Sequence, residues 1–218
     1  MTERYPGYDV LSKWDSVSFN EVTRRVLWRR LDQTPPRRFF TEAEWTLVDA
    51  LAAHLAPTPE RGEAIPITPW IDAELHEGRG EGWRIPGIPP MQEAWRRALA
   101  AVEAEARVRF GRSFTQLAED ERERLCRRLH DGHAEAPEWG ALPVKAAFGM
   151  LLNAIVNVYY AHPAAWNEMG FGGPAGPRGY VRTGLNERDP WEAREGPAHD
   201  GPAPNEQAHE RQARGAKP

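Results

Sequence analysis

The chain has 218 residues, a net charge of −4 with both signs interleaved, 40% hydrophobic residues and nine tryptophans. That is enough apolar material for one core, and the charge pattern lacks the basic face of a nucleic-acid-binding protein. A single cysteine, Cys126, excludes an internal disulfide framework and the CxxCH attachment of c-type haem.

No run approaches the ~20 apolar residues of a membrane helix, and no apolar stretch of the secretory-signal type follows the first residues. Arg24-Arg25 and Arg37-Arg38 are followed by charge, unlike a twin-arginine signal. The expectation is a chain with no signal peptide and no membrane span.

Residues 1–18 read as an extended arm anchored by Tyr5, Tyr8 and Trp14, which lack helical spacing. Residues 20–31 follow as a short amphipathic helix with Val22, Val26 and Leu27 on its apolar side, stopped by Pro35-Pro36. A second helix opens at Thr41, with Glu44 completing a capping box. Its inward positions are Trp45, Val48, Leu51, Ala52 and Leu55. Residues 65–77 form a third helix, carrying Trp70, Ile71 and Leu75. A loop rich in glycine and proline covers 78–90.

Residues 91–110 form a long fourth helix. Trp95, Leu99, Val102, Ala106 and Phe110 make its stripe, and Gly111 closes it. Residues 119–130 are highly charged, with only Leu125, Cys126 and Leu129 directed inward, so this helix shows solvent a face of i,i+4 pairs. The apolar run 146–158 marks the core helix, extending to about Ala161. Almost no alternating strand pattern occurs. The sequence therefore predicts an all-α protein, an irregular bundle of about six helices with long Pro/Gly-rich loops. The segments are 1–36 (arm plus short helix), 37–193 (helical domain) and 194–218, a disordered tail by composition.

After the core helix, residues 159–191 concentrate aromatic, glycine and proline residues in a rigid surface loop, the setting in which recognition residues sit. Tyr160, His162, Trp166, Glu168, Phe171, Gly172, Gly173, Pro174, Arg178 and Tyr180 are the candidate partner interface, with 172–177 as a tight turn. No catalytic, cofactor-binding or metal set emerges. His162 and Glu168 suggest an acid–base pair, but His162 is better read as ending the core helix against its last carbonyls, with Pro163 preventing continuation. Arg178 and Arg182 are placed either to grip a partner carboxylate or to neutralise Glu187 and Asp189. Residues 170–175 fit GxGxxA, but a dinucleotide site needs a strand before it and a helix after it. His130 and His133 have a metal-like spacing, and Cys126 and His130 lie one helical turn apart. A stand-alone metal protein or enzyme built on His130 and His133 is the alternative of another class.

The string YYAHPAAWNEMGFGGPAGPRGYVR with RDPWEA resembles the C-terminal signature of the gluconate 2-dehydrogenase subunit 3 family. RRFFTEAEW, PITPWIDAEL and PPMQEAWRRAL extend the resemblance over roughly 39–193, and the N-terminal YPGYDVL is similar to one branch of the family. The resemblance implies a small, non-catalytic subunit that supports the stability, maturation or export of a large oxidoreductase of the glucose–methanol–choline type. FAD is then expected in the large subunit, and haem c in a third, cytochrome c subunit where one is present. No cofactor is expected in this chain. Many members carry a twin-arginine signal and this sequence does not. The expected location is therefore cytoplasmic, or periplasmic by co-export with a signal-bearing partner. A transient chaperone of the oxidoreductase is the other alternative.

Overall fold

The computed structural model describes residues 4–56, 64–78, 85–174, 179, 184, 187 and 192–195. Among these it contains seven α-helices, three short 3-10 turns and no strand, so the protein is all-α. No single helix among the described residues is long and apolar enough to cross a membrane. The chain forms two compact units. One boundary follows Asp32 and another follows Tyr160.

The larger unit holds α2 (Glu42–Leu55), α3 (Ile67–His76), α4 (Met91–Phe110), α5 (Glu119–His130) and α6 (Val144–Tyr160). Helix α6 is its centre and packs against the other four. Phe148, Leu151 and Ile155 recur along its length at helical spacing and are fully buried, with Leu51, Trp95, Leu99, Leu125 and Leu129 supplied by the surrounding helices. The predicted capping box is present: Thr41 Oγ1 accepts the Glu44 N–H at 3.2 Å, and the Glu44 carboxylate accepts the Thr41 N–H at 2.8 Å. Trp45 and Leu55, expected on the buried face of α2, are half-buried, and Leu47 takes part in the core instead. Gly111 ends α4 in the left-handed region at φ 70°, its N–H bonded to the Arg107 carbonyl.

Two buried carboxylates were not singled out from the sequence. Asp72, on the apolar face of α3, has no exposed surface. Its oxygens accept the N–H groups of Arg38, Phe39 and Phe40 at 2.7, 3.0 and 2.8 Å. It thereby holds the chain entering α2, where Phe40 meets Trp95 and the Arg96 guanidinium lies 4.4 Å from the Phe39 ring centre. Glu105 on α4 is equally buried and accepts the N–H groups of Glu135 and Ala136, both at 2.8 Å. Asp72 exchanges its hydration for three backbone donors; Glu105 receives two, both on Oε2, and its Oε1 is buried without a hydrogen-bond partner among the described residues.

The smaller unit contains a 3-10 turn at Val10–Lys13, α1 (Glu21–Asp32) and α7 (Pro163–Met169). Two expectations are corrected here. The arm is not extended, because its polar groups close on themselves. The Asp9 carboxylate caps the turn by accepting the Leu11 N–H, and the Ser12 and Ser16 hydroxyls donate to the carbonyls three residues back. The segment after α6 is also not wholly loop. Helix α6 ends at Tyr160, and His162 starts a new helix: its Nδ1 accepts the Ala164 N–H at 3.2 Å and Pro163 takes the first helical position. Proline has no N–H to lose there and its φ suits the first turn, so the residue read as a stop is a start.

Candidate docking surface

Of the predicted contact residues, His162, Trp166, Glu168 and 171–174 lie in the smaller unit and Tyr160 ends the larger one, and the structure divides them by role. Trp166 is only 4% exposed and forms a cluster with Val10, Phe19 and Leu27, with Tyr8, Leu11 and Trp14 against it. Its indole therefore joins α7, α1 and the N-terminal arm and serves their core. Phe171 leans edge-on against Trp166 at 5.5 Å between ring centres, yet remains 41% exposed. An aromatic fixed on one side and open on the other is suited to anchoring a partner.

The loop carrying Phe171 is held from beneath by the arm. The Tyr8 hydroxyl donates to the Phe171 carbonyl at 3.1 Å. The buried Lys13 ammonium donates to the Tyr8 hydroxyl at 2.9 Å and to the Gly172 carbonyl at 3.3 Å, and it also lies over the Tyr8 ring. Asn167 Oδ1 accepts the Val10 N–H at 2.8 Å. Gly170 ends α7 at φ 67°, and a Cβ there would come within 2.7 Å of the Tyr5 ring and 2.8 Å of Ala193. Gly173, at φ 76°, has Phe19 only 3.1 Å from where its Cβ would stand. These two glycines are required both for backbone conformation and for space.

The remaining candidates are less alike. Pro174 is exposed, and Gly172 contributes its carbonyl as described. Tyr160, at the end of α6, is exposed and stacks edge-on with Tyr159. Arg178 and Tyr180 lie outside the described residues, as do Arg182 and Asp189. Glu168 is half-buried, with its Oε1 shielded from solvent and without a hydrogen-bond partner among the described residues. It sits six residues from His162 on one helix, an axial separation of about 9 Å, so the two do not form an acid–base pair. His162 instead spends its Nδ1 on the cap of α7. Burial and then the nearby Arg30 guanidinium hold its pKa below the ordinary histidine value.

His130 closes α5 and, like His133, is exposed. Among the described residues no group of three or more histidine, cysteine or acidic side chains is placed to hold a metal ion. Cys126 faces the core, and burial pushes its thiol up to about 12, far from a reactive thiolate. A cleft of about 300 Å³ in the larger unit is lined by Arg109, Phe110, Arg124, Arg127, Arg128 and Asp131. Its arginines are already paired: Arg109 and Arg128 with Glu135, Arg124 with Asp120 and Arg127 with Glu123. The cleft is a balanced ion-pair network.

Residues 42–173 match the gluconate 2-dehydrogenase subunit 3 family, a span covering more than half of the chain. The chain belongs to this family. The match begins at the first residue of α2 and ends at Gly173, so it includes α7 and the Phe171 loop but not the arm or α1. No curated protein and no solved structure shows significant similarity to the chain. In this subunit 3 protein the family-matched α7 is held by residues outside the match, with Val10, Phe19 and Leu27 all contributing to the Trp166 cluster.

Proposed function

We propose that this chain is a non-catalytic accessory subunit that binds and stabilises an FAD-dependent dehydrogenase of the glucose–methanol–choline type, one that oxidises a sugar, sugar acid or polyol. The observation that carries this reading is the family match over residues 42–173, since the family is named as a subunit of a dehydrogenase. The Phe171 loop supports it: an exposed aromatic ring on a backbone pinned by Tyr8 and Lys13 loses little conformational freedom on binding. In this reading FAD belongs to the large subunit and haem c to a cytochrome subunit where one is present. This chain contributes a fitted surface and no redox group.

The test is co-expression of the tagged chain with a glucose–methanol–choline-type dehydrogenase from the same genome, followed by a visible spectrum of the eluate. A stoichiometric large partner with flavin absorbance supports the accessory role. A lone colourless chain from cells that contain the soluble dehydrogenase overturns it. Retention in the purified active complex separates a resident subunit from a transient chaperone.

A further inference from the structure

Helix α1 has twelve residues, of which only Leu27 is buried. At 100° per residue, Thr23, Leu27 and Arg30 form its inward edge. Leu27 enters the Trp166 cluster and Arg30 donates to the Ala161 carbonyl at 2.7 Å. The rest of the helix faces solvent with an unusual load: Val22 is 63%, Trp28 47%, Val26 43% and Leu31 37% exposed. Val17, just before it, is more exposed still. A helix this short is marginal alone. At 100° per residue Val22 and Val26 share one edge of α1 while Trp28 and Leu31 lie on the opposite edge, and an exposed apolar edge on a folded protein marks a contact.

Charge narrows the partner. Between Glu21 and Asp32 every charged residue of α1 is an arginine. Arg24 is turned onto the carbonyls of Trp14 and Phe19. Arg25 and Arg29 lie at i+3 and i+7 from Val22, along the flank of the Val22–Val26 stripe, and both are exposed. The pairing of Arg25 with Glu21 is a surface i,i+4 bridge that a better acceptor displaces at small cost. A second copy of the chain fits poorly, because a two-fold contact on this stripe brings the same arginine ridge against itself.

Resting on the accessory-subunit reading, we propose that α1 docks by its Val22–Val26 stripe into an apolar groove edged by carboxylates on the large dehydrogenase subunit. Arg25 and Arg29 pair with that edge. Leu27, on the inward side of the same helix, and Phe171 both meet Trp166, so α1 and the Phe171 loop are braced by one side chain. It lies outside residues 42–173, so the family match does not assign it.

The experiment compares recovery of the co-expressed dehydrogenase on the tagged full-length chain. The variants are Val22→Asp/Val26→Asp, Arg29→Glu, and a control, Val108→Asp, at an exposed position on α4. Circular dichroism checks that each is folded. The expected result is about a tenfold loss of recovered partner for the double variant, a smaller loss for Arg29→Glu that shrinks at high salt, and none for the control. If the double variant does not fold, Arg29→Glu decides alone. Full recovery by folded α1 variants alongside wild type overturns this docking site and leaves the accessory reading intact. Failure of wild type itself to recover the dehydrogenase overturns both. A wild-type dimer by light scattering that Val22→Asp/Val26→Asp dissociates, with partner recovery unchanged, overturns the assignment in favour of a second copy.

Discussion

Trp166 and Phe171 touch each other but answer to different demands, and substitution separates them. Trp166→Ala removes the centre of the smaller unit's cluster and should cost about 3–5 kcal/mol of its stability, read by thermal or urea unfolding. Phe171→Ala removes a half-open ring. It should leave unfolding nearly unchanged while weakening dehydrogenase binding by more than about 1 kcal/mol in a titration. His162 adds a pH dependence. Its folded pKa lies below the ordinary value of 6.5, so the unfolded chain binds the proton more readily. Its contribution to stability is therefore present above about pH 6.5 and lost as pH falls below that toward the folded pKa. His162→Asn keeps an N-cap acceptor without titrating, and should flatten the stability profile of the smaller unit between pH 7 and about 5.

At the scale of elements, the entry to α2 depends on two carboxylates used differently. Asp72 joins α3 to residues 38–40 through three backbone N–H groups. Asp72→Ala strands those donors and should cost about 3 kcal/mol of the larger unit's stability in urea unfolding. Glu44 serves the capping box. Burial pushes its carboxyl up, but the Thr41 N–H and hydroxyl, with Arg96, outweigh burial and leave it below the usual range. That stabilisation is present above the unfolded glutamate value of about 4.5 and is lost as pH falls through the folded one. Thr41→Ala should cost about 1 kcal/mol. Glu44→Gln should keep the reciprocal cap but remove its acid dependence, visible as a shallower loss of stability below about pH 4.5.

Across the whole chain, Cys126 offers a readout of integrity, being the sole cysteine. It is buried on α5 with its thiol near 12, so native protein at pH 8 should resist alkylation, and denaturant should restore the rate of a free thiol. Alkylation of Asp72→Ala should quicken by the factor by which the opening equilibrium rises, roughly a hundredfold for about 3 kcal/mol, because opening of the larger unit exposes the thiol. The same assay on Trp166→Ala asks whether damage in one unit reaches the other.

The all-α class, the capping box at Thr41 and Glu44, the α4 stripe from Trp95 to Ala106 (though not Phe110, which is half-buried in the cleft wall) and the inward trio Leu125, Cys126 and Leu129 were legible in the residues. Each depends on neighbours within one turn of helix, and periodicity records such neighbours directly. The family signature was legible for a similar reason, as a run of residues with no generic cause to occur together. Helix α7 was misread because Pro163 stops a helix from within and starts one at its first position, and local sequence does not say which. Trp166 looked like a surface anchor because composition ranks tryptophan by type. Its burial is set by Val10, Phe19 and Leu27, more than 130 residues earlier in the chain. Asp72 and Glu105 sit on apolar helix faces where an acid has no local reason to be, and their donors arrive from distant backbone. Helical periodicity is a short-range property written into the chain. Which face is covered, and which, as on α1, stays open, depends on elements that meet only when the chain folds.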